Sequence, residues 1–354
     1  MTTIAAVHGV LPPHRYPQPE ITEMFGSLLA DPARVALLRR LHESAQVRTR
    51  HLVLPLDRYP ELAGFGQAND EYIRHAVALG ADALAAALED AGLRAADVDV
   101  VFFTTVTGVA APSIEARIAG IVGLRPDVKR VPMFGLGCVA GAAGVARLHD
   151  YLRGAPNEVA VLLSVELCSL TMQRHDDSTA NLVATGLFGD GAAAVVAVGG
   201  DRVADVARVS GPQIIDSRSH LYPDSQRTMG WDVTASGLKI VLNADVPDLV
   251  RKYLGADVRA FLATHGLTAQ DVSTWVSHPG GPKIIEAIEE ALQLPPDALE
   301  LTWRSLAGVG NLSSASVLHV LSDTLHKQPP AGTPGLLMAM GPGFCSELVL
   351  LRWT

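Results

Sequence analysis

LRAADVDVVFF, residues 93–103, and LTAQDVSTWVS, residues 267–277, are the same sentence written twice. Each is a polar turn around an aspartate, Asp97 or Asp271, followed by an apolar run of β-type residues. The echo continues outward. A Gly-x-Gly-Cys turn ends at Cys138 and a Gly-x-Gly-Asn turn ends at Asn311, nearly the same distance beyond the two aspartates. Glycine turns beside apolar strands recur at Gly189-Asp190-Gly191 and Gly341-Pro342-Gly343. Three echoes in one order predict an α/β fold built from two duplicated halves, 1–200 and 201–354. They place Cys138 and Asn311 in equivalent turns, brought toward a shared centre by a pseudo-twofold axis.

Between these landmarks the periodicity predicts the remaining elements. Residues 4–10 read as a strand and 20–50 as one or two helices. Residues 69–91 repeat apolar positions at three- and four-residue spacing, a helix that Asn69 or Asp70 can cap and Gly92 stops. A buried strand follows at 99–105, a helix at 113–123 and a short strand at Val131–Phe134. Val139–Leu152 is Ala/Gly-rich, as in a deeply buried helix. Val159–Val165 and Ala192–Val198 are continuous apolar runs, the mark of strands covered on both faces.

Composition narrows the function classes. The chain has 354 residues, 48% apolar and 18% charged, with 32 glycines and 22 prolines; disordered and collagen-like proteins are excluded. Net charge is −9 and no Lys/Arg block occurs, which argues against nucleic-acid and anionic-membrane partners. The most apolar uncharged stretch, 131–146, carries four glycines in 16 residues, short of the roughly 20 a spanning helix needs. Three scattered cysteines build neither a disulfide framework nor a zinc cluster and fit a reducing cytoplasm.

Three residues carry candidate chemistry. Cys138 stands where a strand ends, two glycines turn the chain and a helix begins; helix N-terminal amides favour a thiolate there. The same run contains Gly135-x-Gly137-x-x-Ala140, a weak dinucleotide-binding pattern. Glu158 and Glu166 are both misplaced for the acid that pattern requires. His278, in WVSHPGGPK, stands where a strand breaks into a rigid Pro/Gly loop. Asn311, in GVGNLSSAS, is a side-chain amide donor or, equally, a helix cap. Thiolate, imidazole and carboxamide together point to carbon–carbon bond formation on thioesters. Cysteine takes an acyl group, and two N–H donors stabilise the enolate left when a malonyl unit loses carbon dioxide. Cys168 and Cys345 lack such turns and read as packing residues.

RVPMFGLGCVAG (130–141), GLFGDGAAA (186–194), SHPGGPKII (277–285), GNLSSAS (310–316) and MGPG (340–343) in this order resemble the type III polyketide synthases, the chalcone-synthase-like branch of the thiolase superfamily. The resemblance implies a thiolase-like five-layered αβαβα fold in a homodimer, CoA thioesters as substrates and no cofactor or metal. It implies that Cys138 loads the starter from acyl-CoA, and that His278 and Asn311 decarboxylate malonyl-CoA and hold the thioester oxyanion. Phe188 matches a gatekeeping aromatic. Thr171 and the Gly341-Pro342-Gly343 loop match the cyclisation cavity, and Arg40 and Lys283 match CoA contacts. Ile240 stands where plant members carry a second gatekeeping Phe, and Ala111 where they carry a methionine reaching across the dimer. Both changes remove volume, which favours a long aliphatic starter and an alkylpyrone or alkylresorcinol product. Glu166 and Ser313 match two members of a water-activating network. The third position is Val106, without a hydroxyl, which tilts cyclisation toward a pyrone unless Thr107 compensates by a one-residue shift. A ketoacyl synthase III-like enzyme with one condensation and a catalytically silent acyl-CoA-binding subunit are the alternatives; the HPGGP and GNLSS strings speak against the first.

Overall fold

In a computed structural model, residues 1–174, 176–206 and 211–354 are described. The first half contains β1 (Thr2–Val10), β2 (His14–Pro17), α1 (Gln18–Ser27), α2 (Pro32–Ser44), β3 (Thr49–Leu52), α3 (Phe65–Ala91), β4 (Val100–Thr105), α4 (Ile114–Val122), β5 (Lys129–Phe134), α5 (Ala140–Gly154), β6 (Val159–Leu167), α6 (Thr179–Leu187) and β7 (Asp190–Gly199). The second contains β8 (Gln213–Leu221), the hairpin β9 (Met229–Thr234) and β10 (Gly237–Leu242), α7 (Val246–Ala263), β11 (Thr274–Ser277), α8 (Pro282–Leu292), α9 (Glu300–Val309), α10 (Ser316–His326), β12 (Pro334–Gly341) and β13 (Cys345–Arg352).

The main sheet runs β11-β12-β13-β8-β1-β7-β6-β4-β5. From β4 the pairings to β6, β7 and β1 are parallel, antiparallel and antiparallel. From β11 the pairings to β12, β13 and β8 follow the same sequence of senses. The two units therefore share one winding, and among the described residues their strands join where Thr2 and Thr3 pair with Ile214 and Gln213. β5, parallel to β4, has no counterpart beside β11 among the described residues.

Alternating strand residues build the layers. Val101 and Phe103 of β4 face α3, packing with Ala76, Ala83 and Ala87. Val100 and Phe102 face the other way, into a central core with Val145 and Leu148 of α5 and Val317 and Leu321 of α10. That core also takes Leu337 and Val349 from the second half, whose opposite face packs Leu336 and Leu350 against Val250, Leu254 and Val258 of α7 and Ile288 of α8. Helix, sheet, helices, sheet, helix is the five-layered arrangement that the motifs imply. Each large apolar side chain so buried contributes about 1.5–3 kcal/mol. The middle layer is the reason for the Ala/Gly-rich helix: a Cβ on Gly141 would lie 2.2 Å from the Ser314 carbonyl oxygen.

Two local expectations need correction. α3 begins at Phe65 with Gly64 as a cap that makes no side-chain hydrogen bond. Asn69 is not a cap; its amide pairs both ways with the Val109 backbone at 2.8 Å, tying the helix to the loop after β4. The segment 20–50 holds two helices and also the start of strand β3. Among the described residues, no helix is long and apolar enough to cross a membrane.

Candidate active site

Cys138 lies in a short 3-10 turn, Gly137–Val139, between β5 and α5. Gly137 has φ of +60°, and a Cβ on it would lie 2.8 Å from the Pro342 ring, so the Gly341-Pro342-Gly343 loop closes directly on the cysteine turn. The sulfur lies 3.8 Å from Ser313 Oγ. Burial pushes Cys138 up to about 12, while hydrogen bonds from Ser313, Asn311 and the backbone pull in the other direction.

His278 follows β11 directly, its N–H bonded to the Met338 carbonyl at 3.0 Å. Pro279, with no N–H to donate, ends the strand there. The ring is 5% exposed, and neither nitrogen has a hydrogen-bond partner among the described residues. Burial alone pushes it down to about 3, so the imidazole is neutral and both nitrogens are available to a substrate. Asn311 reaches the same place from the turn after α9. Its Oδ1 accepts from the Ser313 N–H at 2.8 Å, the capping role, and this aims Nδ2 at the Gly280 carbonyl, 3.4 Å away, and toward the Cys138 sulfur. Gly280 is two residues from His278 and its N–H bonds the His278 carbonyl at 2.9 Å. The cap thereby orients the donor. Ser313 takes a left-handed backbone, φ +49°, inside this turn, the kind of local strain that persists where surrounding contacts over-determine it.

Glu166 lies in β6, fully buried. It accepts from Val106 N at 3.0 Å, Thr107 Oγ1 at 3.0 Å, Thr105 Oγ1 at 3.3 Å and Ser314 Oγ. Burial raises its carboxyl, and hydrogen bonds from Ser314, Val106, Thr107 and Ser313 oppose the shift. The missing hydroxyl at Val106 is therefore made good: Val106 contributes its backbone amide, and Thr107 supplies the hydroxyl. The basis for a tilt toward pyrone closure is removed.

A small cavity lies behind Phe188, with Thr171, Cys168, Trp231 and Ile240 on its walls. A second cavity shares Thr171 and reaches Thr107. Cys138, His278 and Asn311 line neither. Phe188 joins the two regions, its backbone bridged to Asn311 and its ring on the cavity wall. Two wall residues were not legible beforehand. Cys168 is buried, as expected of a packing residue, and it also lines the cavity, within the electrostatic reach of Cys138. Trp231 pairs directly across the hairpin with Ile240, and both side chains line the cavity. Ala111 is exposed on the loop before α4, and Arg40 on α2 and Lys283 in the first turn of α8 are exposed.

A half-buried thiol beside Ser313 and Asn311, and a neutral imidazole two residues from the Gly280 carbonyl that Asn311 also reaches, fit a condensing enzyme of the thiolase class. The family model for the N-terminal domain of chalcone and stilbene synthases matches residues 1–202, and the model for their C-terminal domain matches 213–354. The chain belongs to this family, the type III polyketide synthases. Over 354 residues it is 59% identical to a 1,3,6,8-tetrahydroxynaphthalene synthase of Streptomyces peucetius subsp. caesius, covering 99% of this chain and 93% of that protein. An alpha-pyrone-synthesising polyketide synthase-like protein of Mycobacterium tuberculosis is 28% identical over 99% of this chain and 91% of its own. The crystal structure of the tetrahydroxynaphthalene synthase from Streptomyces coelicolor superposes with a TM-score of 0.93 at 31% identity, covering 99% of both chains. The enzyme is thus a CoA-dependent acyltransferase that joins acyl units by decarboxylative condensation, with CoA thioesters as substrates and no further cofactor. The ketoacyl synthase and silent-subunit alternatives find no support among these relatives.

Proposed function

We propose that this enzyme builds a compact aromatic polyketide of the tetrahydroxynaphthalene kind from malonyl-CoA, and not a long-chain alkylpyrone or alkylresorcinol. Trp231 opposite Ile240 carries the reading, because a long aliphatic starter needs the space the indole fills. The 59% identical tetrahydroxynaphthalene synthase supports it. So does the Thr107–Glu166 network, which keeps hydroxyls and a carboxylate beside the cavity for ring closure. Ten ring carbons with oxygens on alternate positions correspond to five two-carbon units.

In this reading Cys138 takes the acyl group from its CoA thioester. Burial disfavours a lone thiolate and a lone imidazolium alike, but the two charges formed together attract each other strongly where water is excluded. His278 is the base that receives the thiol proton. With the chain on sulfur, the His278 N–H and Asn311 Nδ2–H face the thioester oxygen of malonyl-CoA, hold the enolate left by carbon dioxide and release it to attack the Cys138 ester. Phe188 gates passage from this junction to the cavity, where Thr171, Ile240 and the Gly341-Pro342-Gly343 loop shape the chain, and Glu166 with Ser313 and Thr107 activates the final step. Arg40 and Lys283 are the CoA contacts. β5 is an edge strand carrying exposed Val131 and Phe134; a second copy covering it gives the homodimer. Ala111 leaves that contact without a side chain long enough to reach across. The site of action is the cytoplasm, where the CoA esters are.

Incubation with labelled malonyl-CoA alone, followed by mass spectrometry, tests the proposal. A ten-carbon product with every carbon labelled is expected. Product formed only when a fatty acyl-CoA is added, and retaining its chain, overturns it.

A further inference from the structure

Arg50 of β3 is 2% exposed, among the largest fully buried side chains. Two of its nitrogens are held by neutral acceptors. Nε donates to Gln18 Oε1 at 3.1 Å and Nη1 to the Phe188 carbonyl at 2.7 Å. Gln18 in turn donates to the Gly186 carbonyl at 2.7 Å, so the guanidinium plane is fixed against the turn that carries Phe188. Nη2 has no partner among the described residues. Asp190 attracts the cation through space, yet its oxygens are committed to Val53 N, Ser169 N and Ser169 Oγ. A cation is rarely this buried without a paired anion, and an unmade hydrogen bond from it is costly.

Arg50 forms part of the wall of the cavity behind Phe188, and its unspent Nη2 is buried there. Arg50 lines it, and Tyr59 and Cys168, which feel its charge, are on the same walls. Among the described residues lining this cavity, Arg50 is the one charged side chain. Phe188, Trp231 and Ile240 give the same cavity apolar walls, and a low local dielectric strengthens attraction for an anion. We infer that Arg50 Nη2 is a seat for an anionic oxygen at the distal end of the chain growing on Cys138. Two sources share that chemistry: the free carboxylate of a malonyl starter, and an enolate oxygen of the poly-β-ketone itself. An aliphatic tail pressed against an unpaired guanidinium is the disfavoured occupant. This inference rests on the malonyl-primed reading above and names what the cavity recognises.

Starters of equal length that differ only at the far end provide the test, with malonyl-CoA as extender: glutaryl-CoA against valeryl-CoA, and adipyl-CoA against hexanoyl-CoA. In the wild-type enzyme the carboxylate-ended member of each pair is expected to have kcat/KM about tenfold or more above its neutral partner, the worth of one charge-assisted hydrogen bond. In Arg50→Gln that ratio is expected to collapse toward one. Because the ratio is the readout, a general loss of activity cancels. Product length from an acetyl-CoA starter separates the two sources. Chains shortened by Arg50→Gln there identify the enolate, and unchanged chains identify the carboxylate. If Arg50→Gln does not fold, the wild-type ratios decide alone. Neutral starters used as well as charged ones by the wild-type enzyme overturn the anion seat. Absence of any product from malonyl-CoA alone instead overturns the malonyl-primed reading, and leaves the ratios to judge the seat.

Discussion

The turn at Cys138 and the turn at Asn311 end equivalent stretches of a doubled chain, and they have been put to opposite uses. Around Cys138 the chain is stripped to Gly137, Val139, Ala140 and Gly141, so that the Pro342 ring and the Ser314 carbonyl can close on it. Around Asn311 it is rich in hydroxyls and amides: Ser313 near the sulfur, Ser314 on Glu166, and Asn311 itself capping Ser313 while presenting an N–H. The repeat supplies two facing positions, and side-chain chemistry divides them into a reacting atom and the donors that serve it. His278 shows the same division. The echo places it opposite Thr104, a buried residue inside β4. β11 stops at Ser277, before Pro279, and so frees at its end a group that β4 keeps in the sheet.

Breaking the donor side is expected to have the largest effect. Asn311→Asp keeps an acceptor for Ser313 N but loses the N–H, and decarboxylation of malonyl-CoA should fall about 100- to 1,000-fold. Carbon dioxide release measured apart from acyl loading checks this, and equal loss of both steps contradicts a donor role. Breaking the stripped side costs stability: Gly141→Ala drives a methyl toward Ser314 O and should cost about 1–3 kcal/mol, read as a lower Tm. Thr107→Val removes one hydroxyl from Glu166 and should shift the ratio of ring-closed to lactone products by about tenfold, read by chromatography. Cavity changes are the most gradual. Trp231→Ala should extend the accepted starter at no more than about 0.8 kcal/mol per added methylene, and Ile240→Phe should shorten it slightly. A starter profile indifferent to both removes the cavity from the account.

Much of this was legible because the decisive signals are local. Strand ends marked by glycine pairs, the Pro279 break and the small-residue run after Cys138 are all contiguous in sequence. What escaped depends on partners far along the chain. Trp231 matters because a hairpin sets it against Ile240. Cys168 matters because β6 delivers it beneath Phe188, and Thr107 because its side chain, not that of residue 106, reaches Glu166.

The pairing of Cys138 with His278 is tested most directly by the rate of Cys138 alkylation by iodoacetamide as a function of pH, in the wild-type enzyme and in His278→Gln. Burial holds the isolated thiol protonated up to about pH 12, and only a nearby imidazole that accepts its proton brings reactivity down to neutral pH. Alkylation near neutrality in the wild type, displaced to strongly alkaline pH in His278→Gln, is the result the account predicts. Two superimposable profiles would show that sulfur and imidazole do not act as a pair and would contradict it.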